Sequence, residues 1–201
     1  MQYDIIIIIF FVSIIQSIFG VGILLFGTPL LIFFGYNFEF SLTVLLPISI
    51  LVNFFQIYGN IKFIDRKFYK KLILYTIPLI VFFLYFTSIN NLNMKPIIGF
   101  FLIIISLNKV IPNSYKLNIN KNENIYLILT GIIHGLTNLG GALLSIIIFS
   151  KNLSKNQIRS TIAISYLTFA VFQIITLKFL INSNYFSLYN TVYCSIGLIV
   201  F

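Results

Sequence analysis

The stretch Ile5–Phe34, IIIIIFFVSIIQSIFGVGILLFGTPLLIFF, runs for 30 residues without a charge. As one α-helix it would be about 45 Å long, whereas the hydrocarbon of a bilayer is about 30 Å thick. It is too long for one straight crossing, and Gly20-Val21-Gly22 interrupts it, with Gly27 and Pro29 further on. A second uncharged stretch, Ile125–Phe149, IYLILTGIIHGLTNLGGALLSIIIF, has the same character and carries His134, Thr137 and Asn138 among its glycines. Seven of the eleven glycines (Gly20, Gly22, Gly27, Gly131, Gly135, Gly140 and Gly141) fall in these two stretches. Glycine weakens a helix interior and admits close backbone approach. Each stretch therefore reads as two half-helices meeting at a glycine-rich break near the membrane middle. The alternative is an over-long tilted helix whose glycines form packing faces.

The rest of the chain agrees with a membrane setting. Of 201 residues 59% are hydrophobic and 8% charged, with a mean hydropathy of +1.04. An average soluble domain carries roughly 25% charged residues. A soluble fold of this size leaves roughly a quarter to a third of its surface exposed and could not hide so much apolar area. Soluble enzymes, disordered tails and disulfide scaffolds are excluded on this ground. The single cysteine, Cys194, allows no internal disulfide and no thiolate cluster. The expected fold is all-α and polytopic, a single integral membrane domain over residues 1–201.

Further uncharged stretches are Ser41–Asn60, Leu72–Asn90, Pro96–Asn108, Ser160–Leu177 and Ser187–Phe201. With the two long ones they make about seven membrane elements. Pro96 suits a helix first turn, Pro112 falls where the fourth element should stop, and Pro47 and Pro78 should kink the spans that hold them. The N-terminus Met1-Gln2-Tyr3-Asp4 has no basic region and no small-residue cleavage site follows, so it is expected to stay attached.

Thirteen Lys and Arg against four acids give a net charge of +9. The bases sit in gaps between apolar runs and not interleaved on a polar face, so they indicate the positive-inside bias and not a nucleic-acid partner. Their distribution tests the two readings of the long stretches. If each long stretch crosses once, the bases divide 9 to 4 between the two sides; if each is a hairpin returning to its own side, Lys151, Lys155 and Arg159 join Lys62–Lys71 and the split becomes 11 to 2. The hairpin reading is favoured. It places the N-terminus outside the cytoplasm and loop 60–71 inside, in a multi-pass protein of the inner membrane.

A faint repeat runs alongside. Phe34-Gly35-Tyr36-Asn37 matches Phe149-Ser150-Lys151-Asn152, and Gly20 matches Gly135, at an offset of 115; Gln56-Ile57 matches Gln173-Ile174 at 117. Three full spans would separate the hairpins, so two halves, about 5–112 and 125–201, would be inverted repeats, a common plan of secondary transporters.

Phe19-Gly20-Val21-Gly22-Ile23-Leu24-Leu25-Phe26-Gly27-Thr28-Pro29-Leu30-Leu31 resembles the first signature of the sulfite exporter TauE/SafE family of membrane permeases: a glycine-rich break, a short apolar run, then Pro-Leu. Gly135-Leu136-Thr137-Asn138-Leu139-Gly140-Gly141-Ala142 resembles the second, and the basic loop Lys62–Lys71 also matches the family's habit. The departures are a first cluster of only Gly-x-Gly, Ala142 where a third glycine is expected, no second-half counterpart of Pro29, and a last apolar run of only about 15 residues, short of a span. The resemblance implies export or import of sulfite or small organosulfonates.

The residues can support such chemistry. A half-helix starting inside the membrane points N–H groups and a positive dipole end at its break, and glycine there lets an oxyanion reach the backbone. Two breaks facing each other would hold an anion without a buried Lys. Candidate binding residues are Gly20, Gly22, Thr28, Pro29, Asn53 and Gln56 in the first half. In the second they are His134, Thr137, Asn138, Gly140, Gly141, Ser145, Thr161 and Ser165, with Gln173 among the polar lining groups. Any of these hydroxyls and amides could instead serve as ordinary inter-helix bonds. His134, the lone histidine, lies within a span, where an ionisable group marks a functional hypothesis, here proton uptake with a dianion.

No nucleophile–base pair, metal-ligand cluster or phosphate loop is present, so no catalytic residue, metal or cofactor is expected. The partners expected are the lipid bilayer, a small anion, protons and a second copy of the chain. Two functions remain: a secondary permease working by alternating access, and a non-transporting membrane subunit that anchors or regulates a partner.

Overall fold

A computed structural model describes residues 3–90, 92–107, 122–181 and 189–201. They form nine α-helices and no strand: α1 (Tyr3–Phe19), α2 (Ile23–Phe33), α3 (Phe38–Ile57), α4 (Arg66–Ile89), α5 (Met94–Leu107), α6 (Glu123–Thr137), α7 (Gly141–Phe149), α8 (Lys155–Ile175) and α9 (Tyr189–Val200). A π-helical turn, Thr176–Leu180, extends α8. The helices α3, α4 and extended α8 are long and apolar enough to cross a membrane. Pro47 and Pro78 lie inside α3 and α4, which continue through them, and Pro96 sits in the first turn of α5. Pro112, Lys109, Lys116, Lys121 and the terminal Met1-Gln2 lie outside the described residues.

Both long stretches are hairpins. At the first, the Tyr36 hydroxyl, just beyond α2, donates to the Asp4 carboxylate at the start of α1 at 2.5 Å. A continuous helix would hold these residues about 48 Å apart. Burial and this bond push the Tyr36 hydroxyl's pKa up to about 12. At the second, Lys151, just beyond α7, bonds Glu123 in the first turn of α6. Lys71, near the start of α4, donates to the same carboxylate at 2.7 Å. Burial alone would raise the Glu123 carboxyl; the hydrogen bonds from Lys151 and Lys71 outweigh it and hold the group below its ordinary range. Lys71 and Lys151 thus share one end of the bundle, as the hairpin reading of the charges requires.

The hairpins open at opposite ends. From Tyr36, α3 runs 20 residues, about 30 Å, before the loop that leads to Lys71 and so to Glu123. Side-chain caps set the long helices' starts: Asn37 accepts from Phe40 N at 2.8 Å, Asp65 from Phe68 N at 3.0 Å, and Ser154 with Gln157 forms a capping box.

Packing explains the other glycines of the long stretches. Gly131 and Gly135, one turn apart on α6, lie where a Cβ would strike the Thr76 and Ile80 carbonyl oxygens of α4. These two are the small-residue face of a close helix pair, not part of a break. The Thr76 hydroxyl adds a bond to Leu127 O at 3.0 Å. Helix α3 supplies the centre of the bundle, with Leu42, Leu45, Leu46, Ile48 and Val52 buried. Outward-facing Phe10, Phe11, Phe33, Leu74, Phe82, Phe100 and Ile103 are exposed, as a lipid-facing surface requires.

Candidate functional site

The two breaks are built alike. In the first, Gly20 adopts φ +77°, its N–H bonded to Gln16 O at 2.8 Å, and the chain reverses into α2. In the second, Asn138 adopts φ 64° and bonds His134 O at 2.8 Å. A Cβ on Gly22 would lie 2.9 Å from Val12 O and 2.7 Å from Gln16 N; one on Gly140 would meet Thr130 O and lie 2.8 Å from His134 N. Each glycine is required because the second half-helix starts against the backbone of the first. Gln16, Gly20 and Gly22 thus correspond to His134, Asn138 and Gly140 at an offset of 118. Gly135, the sequence match of Gly20 at 115, lies in mid-helix against α4.

Their polar contents differ. At the first break the Gln16 side chain, 3% exposed, fills the turn. Its Oε1 accepts from Ile23 N, the first residue of α2, at 3.3 Å. Its Nε2 donates to Gly20 O at 3.1 Å, Gln56 Oε1 at 3.3 Å and Asn53 Oδ1 at 3.4 Å. Asn53 in turn donates to Ser49 O at 2.7 Å. Gly20, Gly22, Asn53 and Gln56 are therefore brought together around a residue of the chain itself.

At the second break the groups converge without pairing. His134, Asn138 and Gln173 are 0% exposed and Tyr166 is 2% exposed. Among the described residues, both His134 nitrogens, Asn138 Oδ1, the Tyr166 hydroxyl and both Gln173 amide atoms have no hydrogen-bond partner. Gln173 is His134's polar neighbour, placed to interact but outside hydrogen-bond geometry. The imidazole lies 4.6 Å from the Phe169 ring and edge-on to Tyr166. The Tyr166 hydroxyl fills the space a Cβ on Gly141 would take, at the first residue of α7, whose N-terminus has no side-chain cap. Buried polar groups are nearly always paired, so this concentration at a positive helix end is the arrangement expected of a ligand site.

Other expected residues fall elsewhere. Thr28 joins the second break, accepting from Asn138 Nδ2 at 2.7 Å, while Pro29 is half-buried inside α2. Thr137 caps its own turn, bonding Ile133 O at 2.7 Å and accepting from Leu139 N at 3.2 Å. The Ser145 and Ser165 hydroxyls bond back to Gly141 O and Thr161 O in their own helices. Thr161 accepts from Asp65 N at 3.0 Å and fastens the loop before α4 to α8. The breaks do not form one site facing each other: Gln16, Asn53 and Gln56 surround the first, Tyr166 and Gln173 the second. The reason is length. Helices α1 and α6 have 17 and 15 residues, about 25 and 22 Å, so hairpins entering an about 30 Å layer from opposite ends pass each other's tips. The first break lies beside Gln56 in the last turn of α3, not midway.

Sequence reasoning did not single out Gln16 or Tyr166. Gln16 was findable as the one amide in a 30-residue apolar run, four residues before Gly20. Tyr166 is one of twelve tyrosines and carries no such signal.

Broken helix hairpins, long apolar helices and apolar outer faces define an all-α integral membrane protein. The sequence model of the sulfite exporter TauE/SafE family matches residues 5–201, and the chain belongs to that family, whose members are membrane transporters and not enzymes. No curated protein and no solved structure matches the chain.

Proposed function

We propose that this chain is a secondary permease for a small anion, sulfite or an organosulfonate, and that the anion binds at the second break. One observation carries the site: six buried polar atoms on His134, Asn138, Tyr166 and Gln173 have no partner among the described residues, with the Tyr166 hydroxyl set against Gly141 at the start of α7. The family supports sulfur anions as the substrate class. The tyrosine hydroxyl, the imidazole and the backbone N–H groups at the α7 N-terminus are donors suited to sulfite or sulfonate oxygens, and the helix end supplies positive potential without a buried Lys.

Transport follows from the two hairpins. Opening at opposite ends and alike at their breaks, they act as inverted halves that rock to expose the site to one side and then the other. In the inner membrane the basic end, with loop 60–71, faces the cytoplasm and Asp4 faces away. In this reading His134 takes up its proton together with the anion, whose charge offsets that of the imidazolium.

The test is labelled-sulfite flux in proteoliposomes holding this chain alone, with and without a pH gradient. Saturable flux, accelerated by the gradient and uncoupled from it by His134→Gln, is the expected result. Folded protein giving no flux with sulfite or with small sulfonates refutes the permease reading and favours a non-transporting subunit. Flux whose pH dependence survives His134→Gln refutes the proton role alone.

A further inference from the structure

We infer that Gln16 is a built-in occupant of the first break, standing where a ligand oxygen stands at the second, so that the chain carries one anion site and not two. The inference rests on the permease reading of the second break. The two turns correspond residue for residue at an offset of 118, and Gln16 corresponds to His134. At the first turn the α2 N-terminus is satisfied from within: the Gln16 carboxamide oxygen takes the Ile23 N–H, and its nitrogen is taken up by Gly20 O, Asn53 and Gln56. At the second turn the residue in that place is an imidazole whose two nitrogens bond no group among the described residues, the N–H groups of α7 included. Both His134 nitrogens, Asn138 Oδ1, the Tyr166 hydroxyl and the Gln173 amide, all on residues at least nine-tenths buried, have no hydrogen-bond partner among the described residues. The first break thus displays the chemistry the second lacks, namely an acceptor oxygen that takes an N–H at the helix start, on an amide whose nitrogen donates to Gly20 O, Asn53 Oδ1 and Gln56 Oε1. A group that completes the second in the same way is a small oxyanion, accepting from the α7 N-terminus, the Tyr166 hydroxyl and an imidazole N–H. Two breaks built alike invite a two-site mechanism; the Gln16 side chain removes one of the two.

The experiment uses the full chain in proteoliposomes with radiolabelled sulfite as probe, reading equilibrium stoichiometry, KM for flux and thermal stability. The wild-type chain should bind one sulfite. Gln16→Glu keeps an acceptor oxygen against Ile23 N but turns a carboxylate toward Gly20 O, Asn53 Oδ1 and Gln56 Oε1, so it should lower the unfolding temperature at pH 7 while the folded protein keeps KM within about twofold, and Gln16→Leu should lower that temperature by uncapping α2. Tyr166→Phe should raise KM about tenfold with unchanged stability, the loss of one bond to a charged ligand. Two sulfites per chain, or a folded Gln16→Glu protein that loses binding while Tyr166→Phe keeps it, overturns the inference and leaves the permease standing. No sulfite bound by folded wild-type protein overturns both.

Discussion

Replacing Gly140 with alanine tests the hairpin itself. Its φ of −57° suits any residue, so backbone conformation plays no part and only space matters. The added methyl would meet the Thr130 carbonyl oxygen and lie 2.8 Å from the His134 nitrogen, against 3.4 Å for ordinary contact. The shortfall is at least about 0.6 Å, against backbone inside a hydrogen-bonded turn of α6, which cannot swing aside as a side chain could. So α7 must move outward, which spoils the turn at Asn138 and the closeness of Tyr166 to Gly141. Overpacking costs about 1–3 kcal/mol, and two backbone contacts put this case near the upper end, about 3 kcal/mol. For a chain of this length that lowers the unfolding temperature by about 6–12 °C. The control is Gly99→Ala on α5, where a Cβ has nothing within 4 Å. There alanine favours the helix by up to about 1 kcal/mol and should leave stability equal or higher. The assay is thermal unfolding followed by helicity in one detergent, with sulfite flux measured alongside. A Gly140→Ala protein as stable as Gly99→Ala would refute the close return of α7 onto α6, and with it the site.

Two further perturbations address the turn and the bundle's basic end. Asn138 holds φ 64° and donates to Thr28. Asn138→Gly should lose only that bond, and Asn138→Ala should be less stable than Asn138→Gly by about 1 kcal/mol more, since alanine resists the left-handed conformation; equal unfolding temperatures for the two would refute the turn. Glu123, with its pKa held down by Lys151 and Lys71, contributes stability that is full above the unfolded carboxyl value of about 4.3 and is lost as pH falls through the lower folded value. Glu123→Gln should therefore unfold at a lower temperature than the wild type at pH 7, with a gap that closes below about pH 4; a gap constant with pH would refute the ion-pair role.

Much of the fold was legible in the residues because its causes are local. Long uncharged runs, the placing of Lys and Arg, and two over-long stretches with interior glycines suffice to read an all-α membrane bundle with two hairpins. Hydrophobicity and backbone sterics act within a few residues of sequence. The Lys62–Lys71 and Lys151–Arg159 clusters sit together, as charge counting required, because positive loops collect on one side whatever the packing between them. Gly20, Gly22, Gly140 and Gly141 were legible as break residues for the same reason.

What only the tertiary structure decided depends on groups far apart in sequence. Gly131 and Gly135 look like Gly20 and Gly22 in sequence, but α4 packs against them, so they serve contact and not a turn. Thr161 looks like a lining residue until the loop before α4 claims its hydroxyl. Gln16 and His134 look unrelated, and only the geometry of the two turns makes them counterparts. Above all, which polar groups are satisfied is a property of the packed whole. Sequence alone determined that this chain crosses a membrane with two broken hairpins and few charges. The packing of α3 and α8 around the hairpins decided that the first break is filled by Gln16 with Asn53 and Gln56 around it, while the second leaves both His134 nitrogens, Asn138 Oδ1, the Tyr166 hydroxyl and the Gln173 amide without a partner among the described residues, because a hydrogen bond needs its partner within about 3 Å and residues tens of positions apart reach that distance only once the helices have packed.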